Sequence, residues 1–147
     1  MDMKPLMIAS LCACWLITPA PAAQAYNRVN ANGRIVSCVP AKLMRIASAA
    51  AAHFGRPATV ISGYRSPAHN RAVGGAHHSL HLQCRALDFQ IAGVPPRALA
   101  AFALAHGATG IGTYAGQAFI HIDNRATPAR WFWRQKPHHP HKHRRRK

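Results

Sequence analysis

The sequence predicts an α+β fold in which helices flank a small antiparallel sheet, and three observations support this class. Apolar residues recur at helical spacing after Pro40 and again after Pro95-Pro96. Short runs of β-branched, aromatic and other apolar residues lie between and after these helices. Two of the runs, 110–114 and 118–123, follow each other across a turn, which predicts a hairpin. A hairpin in place of strict strand–helix alternation favours an antiparallel sheet.

Local residue chemistry accounts for the elements in the first half of the chain. The helix that begins at Pro40 carries an alanine-rich run of high helix propensity, and Gly55 with Pro57 ends it. The β-branched run at 59–61 predicts a strand that ends at Gly63. The other elements expected in this half are an extended lead-in at 26–37, a helical turn from Pro67 to Gly74, a loop at 77–83 and a strand at 86–91.

The second half begins with a helix that Pro95-Pro96 opens and Gly107 caps. The hairpin strands 110–114 and 118–123 follow, with Ala115-Gly116 between them. The aromatic run 131–133 is expected to form a closing strand or a plug.

Three regions are predicted along the chain. Residues 1–25 have the layout of a signal peptide, with Lys4 before an apolar run and Ala23-Gln24-Ala25 as the cleavage site. A lipoprotein modified at Cys14 is the alternative, although it would shorten the apolar run. Residues 26–133 then form one domain with a single core, and 134–147 form a disordered tail rich in His and Arg. The expected location is periplasmic or secreted.

The charge of the chain is strongly positive. Nineteen Lys and Arg against three acids give a formal net charge of +16. In an exported protein, such a charge favours anionic envelope polymers over any specific nucleic acid. The basic tail is interpreted as the anchor to these polymers, and the alternatives are a solvated charge run and a weak metal-collecting segment. The protein is expected to be a monomer.

The two cysteines outside the signal peptide are Cys38 and Cys84. An even pair in an oxidising compartment is by default a disulfide. The alternative is that Cys84, which lies close to His81 in the sequence, is a thiolate ligand of zinc.

Acidic residues are so rare that their positions point to a site. Apart from Asp2, the chain has only Asp88 and Asp123, and each follows a histidine closely. Strand residues two apart share a face, so His121 and Asp123 are expected on the same side. Catalytic zinc commonly takes three protein ligands, and His81, Asp88 and His121 offer that set. Asp123 would then orient a ligand or transfer a proton.

Each of these residues also has a structural interpretation. A single histidine in a loop is usually solvated or capped, and an isolated aspartate on a strand often pairs with an arginine. The neighbouring His77 and His78 are interpreted as loop residues, because consecutive side chains rarely face one metal ion. The combination of the four residues favours a metal site, because perturbed ionisable groups cluster at functional sites.

The chain resembles the M15 family of zinc peptidases, which includes D-alanyl-D-alanine carboxypeptidases and murein endopeptidases. The resemblance covers about Cys38 to Trp133, nearly the whole predicted domain. It rests on the residues Ser62-Gly63-Tyr64-Arg65-Ser66, Asn70, Gly74-Gly75, Ser79, His81, Ala86, Asp88, Gly110-Ile111-Gly112, Tyr114, His121, Asp123, Arg125 and Trp131.

This resemblance implies a Hedgehog/DD-peptidase-like fold and zinc held by His81, Asp88 and His121. It also implies that Arg65 binds or polarises a carbonyl or carboxylate of a peptidoglycan stem peptide. Ser79 is expected beside the site, in contact with substrate. The Tyr114 hydroxyl either donates a hydrogen bond to substrate or belongs to a ring that only packs.

Two positions depart from the family pattern. Several members carry Glu or Asp three residues before the last ligand as general base, where this chain has Ala118. Asp123 is then the base, or the site is impaired. Relatives often have Gly where this chain has Cys84, which suits a bridge to Cys38. The function expected is an exported zinc peptidase acting on peptidoglycan, and the alternative is a non-catalytic cell-wall binding module that retains zinc.

Overall fold

The structure is a computed structural model that describes residues 29–30 and 36–134. The predicted signal peptide and the tail beyond Arg134 lie outside these residues. The helices are α1 (Ala41–His53), α2 (Pro67–Ala72), a 3-10 helix (Leu80–Gln83) and α3 (Pro96–Ala105). The strands are β1 (Val29–Asn30), β2 (Ala58–Ser62), β3 (Ala86–Ile91), β4 (Gly110–Tyr114), β5 (Ile120–Asp123) and β6 (Ala129–Trp133).

The strands form one mixed sheet in the order β1-β2-β3-β5-β4-β6. The pairs β2/β3, β3/β5 and β4/β5 are antiparallel, whereas the edge pairs β1/β2 and β4/β6 are parallel. The α+β class is therefore confirmed, and the predicted antiparallel pairing holds for the four central strands. β1 and β2 are parallel because α1 lies between them in the chain, and β6 is parallel to β4 because the antiparallel strand β5 lies between those two in the chain.

One face of the sheet packs against α1 and α3 and makes the hydrophobic core. Strand alternation places apolar side chains of the central strands on this face. Among the described residues, the largest fully buried apolar side chains of the helices and strands together are Leu43, Val60, Leu87, Phe89, Ile91, Leu99, Ile120 and Ile122. Burying one such side chain stabilises the fold by about 1.5–3 kcal/mol. The opposite face is left for polar side chains.

Most predicted elements lie where the sequence placed them, and the differences have local causes. The 77–83 segment was predicted to be a loop but contains the 3-10 helix, which Ser79 caps by accepting a hydrogen bond from the His81 N–H. The aromatic run near the end is a strand, β6, and not a plug. Within the described residues, none of the helices has the length and apolar composition needed to cross a membrane.

The structure contains a disulfide between Cys38 and Cys84, whose Cα atoms are 5.7 Å apart. It joins the residues just before α1 to the end of the 3-10 helix. Cys84 has a φ of 58°, a left-handed conformation more usual for glycine. The prediction of a bridge is confirmed, and the alternative of Cys84 as a zinc ligand is wrong because its sulfur is bonded to Cys38.

Candidate metal centre

A row of facing residues crosses the polar side of the sheet. Asp88 on β3 pairs directly with His121 on β5, and His121 pairs with Gly112 on β4. The row continues to Ser62 on β2 at one end and to Trp131 on β6 at the other. Two of the predicted ligands thus come together because the register of β3 and β5 sets them opposite each other.

A β-bulge brings Ser62 into this row. Val60 packs in the core, so simple alternation would direct Ser62 to the core as well. The register shifts between Val60 and Ser62, and Ser62 then pairs with Asp88. Its hydroxyl accepts a hydrogen bond of 2.7 Å from the Nε of Arg65.

His81 reaches the row from the 3-10 helix, above the sheet. Its Nδ1 lies 2.6 Å from the carbonyl oxygen of Gly63, an atom that can only accept. Nδ1 therefore carries the proton, and the lone pair of Nε2 faces Asp88 and His121. The ring is buried, with 1% of its surface exposed.

His121 is oriented in the same way by a different partner. Its Nε2 lies 3.0 Å from a carboxylate oxygen of Asp123, so this nitrogen donates and Nδ1 keeps the lone pair. Asp123 and His121 share a face of β5, as predicted. The Asp123 carboxylate thus fixes the tautomer of His121 from the side of the ring that faces away from the other two candidate ligands.

Three lone-pair atoms consequently converge on one point. His81 Nε2 is 3.0 Å from Asp88 Oδ1 and 3.1 Å from His121 Nδ1, and His121 Nδ1 is 2.9 Å from Asp88 Oδ1. Tetrahedral zinc with ligands at ~2.0–2.2 Å separates neighbouring ligand atoms by about 3.4 Å. Shifts of a few tenths of an ångström would therefore admit the ion, and the donor set suits zinc.

The electrostatics favour an added positive charge at this point. Burial would raise the pKa of Asp88, but the adjacent His121 and His81 rings hold that pKa well below its usual value, because a proton on either ring stabilises the neighbouring carboxylate. Burial would lower the pKa of His121, but the carboxylates of Asp123 and Asp88 outweigh this effect and raise it. A bound cation would supply the charge that these groups otherwise take up as a proton.

Arg65 holds the second oxygen of the Asp88 carboxylate. Its Nη2 donates to Oδ2, while Oδ1 faces the two histidines. Its backbone N–H also donates to the carbonyl of His81 at 3.2 Å. Arg65, predicted to act on substrate, thus lies beside the candidate site and contacts one candidate ligand directly.

Asp123 is fully buried and is held by Arg125 as well as by His121. The backbone N–H, Nε and Nη2 of Arg125 donate to its two oxygens at 2.5–3.1 Å. Burial would raise the pKa of Asp123, but the bonds to His121 and Arg125 keep it well below its usual value. Gly110 leaves the room for this carboxylate, since a Cβ there would lie 2.1 Å from Oδ1.

Tyr114, another predicted residue, lies at the end of β4 on the same side of the sheet. Burial and the charges of Asp88 and Asp123 raise its pKa to about 12, against the opposing effects of Trp131 and Arg65. Its hydroxyl therefore stays protonated at neutral pH and is able to donate.

The remaining predicted residues have simpler surroundings. Ser79 lies two residues before His81 and caps its helix. His77 and His78 are exposed, and their rings contact each other at 4.9 Å between centroids. Ala118 is exposed and precedes β5.

Sequence reasoning gave no role to several residues that build the site. The Gly63 carbonyl and the Ser62 hydroxyl were missed because their roles depend on contacts 18 residues away along the chain and on a bulge. Arg125 and the glycines of β4 were noted only as part of a family pattern. The signal that could have identified the glycines is Gly-x-Gly opposite His-x-Asp across the predicted hairpin.

Comparison with known proteins gives two findings. The family model described as Peptidase M15 matches residues 22–123, a range that includes His81, Asp88 and His121. Peptidoglycan L,D-endopeptidase MepK of Escherichia coli (strain K12) is 39% identical over 73 residues, which are 46% of this chain and 40% of that protein. The protein of the same name from Shigella flexneri matches with the same identity and coverage. The match therefore spans less than half the length of these curated relatives.

Proposed function

Since this chain belongs to the Peptidase M15 family, we propose that it is a zinc-dependent peptidase that hydrolyses an amide bond in peptidoglycan stem peptides or cross-links. Of the two activities expected from the sequence, carboxypeptidase and endopeptidase, the names of the relatives favour the endopeptidase. We extend the proposal to a Hedgehog/DD-peptidase-like fold and to a periplasmic or secreted location.

The observation that carries this proposal is the convergence of three lone-pair atoms from His81, Asp88 and His121. These residues would hold zinc through Nε2, Oδ1 and Nδ1, respectively. When bound, zinc supplies Lewis-acid chemistry, polarising a carbonyl and making water acidic enough to react at neutral pH. The protein's part is to fix the ligand geometry, and Gly63, Arg65 and Asp123 do this through the hydrogen bonds described above.

Two further residues are assigned to the substrate. The guanidinium of Arg65, whose side chain is 15% exposed, would bind a carbonyl or carboxylate of the stem peptide with donors not used on Asp88 and Ser62. The protonated hydroxyl of Tyr114 would donate to the oxygen that gains negative charge during amide hydrolysis. Ser79, which caps the helix of His81, would line the same site.

Replacing Tyr114 with phenylalanine should lower kcat by about 10-fold to 100-fold, because one hydrogen bond to a charged oxygen is lost. Zinc affinity should not change, since Tyr114 is not a ligand in the proposal. Steady-state kinetics on a defined muropeptide and a zinc titration measure the two quantities. A variant with wild-type kcat would assign Tyr114 to packing against Phe119, whose ring centroid is 5.0 Å away.

Asp123 fits an orienting role better than the role of general base. Its carboxylate lies on the far side of the His121 ring from Nδ1, is 0% exposed and has both oxygens engaged by Arg125. A base must come within about 3 Å of the proton it abstracts. We propose that Asp123 keeps His121 in the tautomer that leaves Nδ1 free for zinc.

The variant Asp123→Asn separates the two roles. An orienting carboxylate predicts that zinc affinity falls about 10-fold to 100-fold and that excess zinc restores much of the activity. A general base predicts unchanged zinc affinity and a loss of activity that zinc does not restore. Competition with a chromogenic chelator gives the affinity, and hydrolysis measured across a zinc series gives the rescue.

The alternative function, a non-catalytic cell-wall binding module, is favoured by one observation. Ala118 stands where several family members have the acidic base, and Asp88 and Asp123 are both committed to other contacts. The test is to incubate the protein with purified sacculi and zinc and to identify released fragments by mass. Fragments cut at an amide bond establish the peptidase, whereas zinc binding and sacculus binding without fragments establish the module.

The basic tail is assigned a binding function at the cell envelope. We propose that the His and Arg residues of 134–147 bind anionic envelope polymers and keep the enzyme close to its substrate. The charge of the whole chain, +16, supports this assignment.

A further inference from the structure

The last strand, β6, directs its two tryptophans to one face of the sheet and its cationic side chains to the other. Trp131 and Trp133 alternate with Arg130, Phe132 and Arg134 along the strand, so the two sets project from opposite faces of the sheet. The ring of Trp131 is 5.2 Å from that of His121, which puts the tryptophans on the face of the candidate metal centre. Register pairs Trp133 with Tyr114, which adds a third aromatic ring to this face.

Trp131, the inner residue of this aromatic group, is packed against its neighbours, whereas Trp133, the outer residue, is exposed to solvent. Gly112 leaves room for the Trp131 indole, because a Cβ there would lie 2.5 Å from it. The Arg125 guanidinium lies 4.7 Å from the centroid of the same ring. Trp133, two residues further along, is 59% exposed. A large aromatic side chain presented to solvent beside a functional site is typical of a binding surface.

We propose that Tyr114, Trp131 and Trp133 form an aromatic strip that binds a sugar ring of the glycan strand, next to the bond that is cut. This inference rests on the proposed function, because it identifies the part of peptidoglycan that the enzyme recognises beyond the stem peptide. Trp133 lies about 7 Å along β6 from Trp131. The sugar would therefore bind beside the metal centre and leave the centre free for the peptide.

Chemistry favours a sugar over the peptide as the occupant. A stem peptide carries carboxylates, and the cations on this face, Arg65 and Arg125, lie around the metal centre. Arg130 and Arg134, on either side of the strip along the chain, project from the opposite face, and Arg134 lies over Phe132, 5.8 Å from its ring centroid. The flat, uncharged face of Trp133 suits the weakly positive C–H groups of an uncharged pyranose ring.

The strand supplies its own matched control. Phe132 is adjacent to Trp133, is equally exposed at 58% against 59%, and projects from the opposite face. We compare Trp133→Ala and Phe132→Ala on intact sacculi and on sugar-free cross-linked stem peptides. Trp133→Ala should lower kcat/KM for sacculi about 10-fold more than for the free peptides, as expected for one lost aromatic contact. Phe132→Ala should change neither.

A second measurement does not depend on cleavage. Tryptophan fluorescence during titration with a peptide-free chain, the tetramer of N-acetylglucosamine, should show saturable binding that Trp133→Ala weakens about 10-fold and Phe132→Ala leaves unchanged. If the wild-type protein cleaves nothing but binds the tetramer in this way, the peptidase proposal fails and the sugar site stands.

Three outcomes would overturn the sugar site. The first is an equal loss on sacculi and free peptides, which would make the peptide the occupant of the strip. The second is an equal effect of the two alanine variants, which would show a general contribution of the exposed strand. The third is the absence of tetramer binding by the wild-type protein.

Discussion

Replacing His121 with alanine should abolish stoichiometric zinc binding and lower peptidoglycan hydrolysis by on the order of 10³-fold or more. The variant loses one of three ligands, and the several kcal/mol of charge stabilisation that a bound metal supplies correspond to that factor. Asp88→Ala should behave in the same way. Metal content per chain and release of fragments from sacculi measure the two effects.

A matched control is available among the exposed histidines. His78 lies three residues before His81 and outside the cluster, so His78→Ala should keep both zinc and activity. Circular dichroism should show that His121→Ala remains folded, and His121→Gln serves as a second variant if it does not. Full activity in a folded His121 or Asp88 variant would contradict the proposal that the protein is a zinc-dependent peptidase.

Loss of the disulfide should destabilise the protein by about 4 kcal/mol. The bridge closes a loop of 46 residues, and the chain-entropy relation gives that value for the unfolded state it restrains. This is a large part of the ~5–15 kcal/mol that stabilises a typical domain. Guanidinium unfolding of the oxidised protein, with and without a phosphine reductant, measures the difference.

The double variant Cys38→Ser/Cys84→Ser is the control for the reductant. It should unfold at the lower midpoint whether or not reductant is present. Because Cys84 ends the 3-10 helix that carries His81, zinc affinity should fall together with stability. Identical midpoints for the oxidised and reduced wild-type protein would mean that the bridge adds no stability.

The helices and central strands were predictable because short-range chemistry specifies them. Proline and glycine mark both ends of α1 and α3, and apolar periodicity identifies their buried faces. The strand β3 was predictable because apolar side chains alternate with other side chains around Asp88. The 3-10 helix was not predicted, since its polar composition is typical of a loop and its cap depends on a single Ser79 hydroxyl.

The direction of the edge strands also needed the structure. Nothing in the run Trp131–Trp133 specifies whether it pairs in parallel or antiparallel, because both pairings use the same alternating side chains. The path of the chain after β5 makes it parallel to β4, with Gly112 opposite Trp131. That pairing is what places the aromatic side chains beside His121.

The sequence by itself identified the candidate side chains for a metal site. The chain has only three acidic residues, so their positions are easily recognised. The two-residue period of a strand then predicts that His121 and Asp123 share a face. Only the tertiary structure decided which contacts each of them makes. Whether a nitrogen binds a metal or donates a proton depends on the partner of the other ring nitrogen, and here those partners, Gly63 and Asp123, are set by the fold. The hydrogen bond from His121 also places Asp123 on the far side of the ring, which supports the proposed orienting role. The spacing of the two residues alone does not distinguish this position from that of a base.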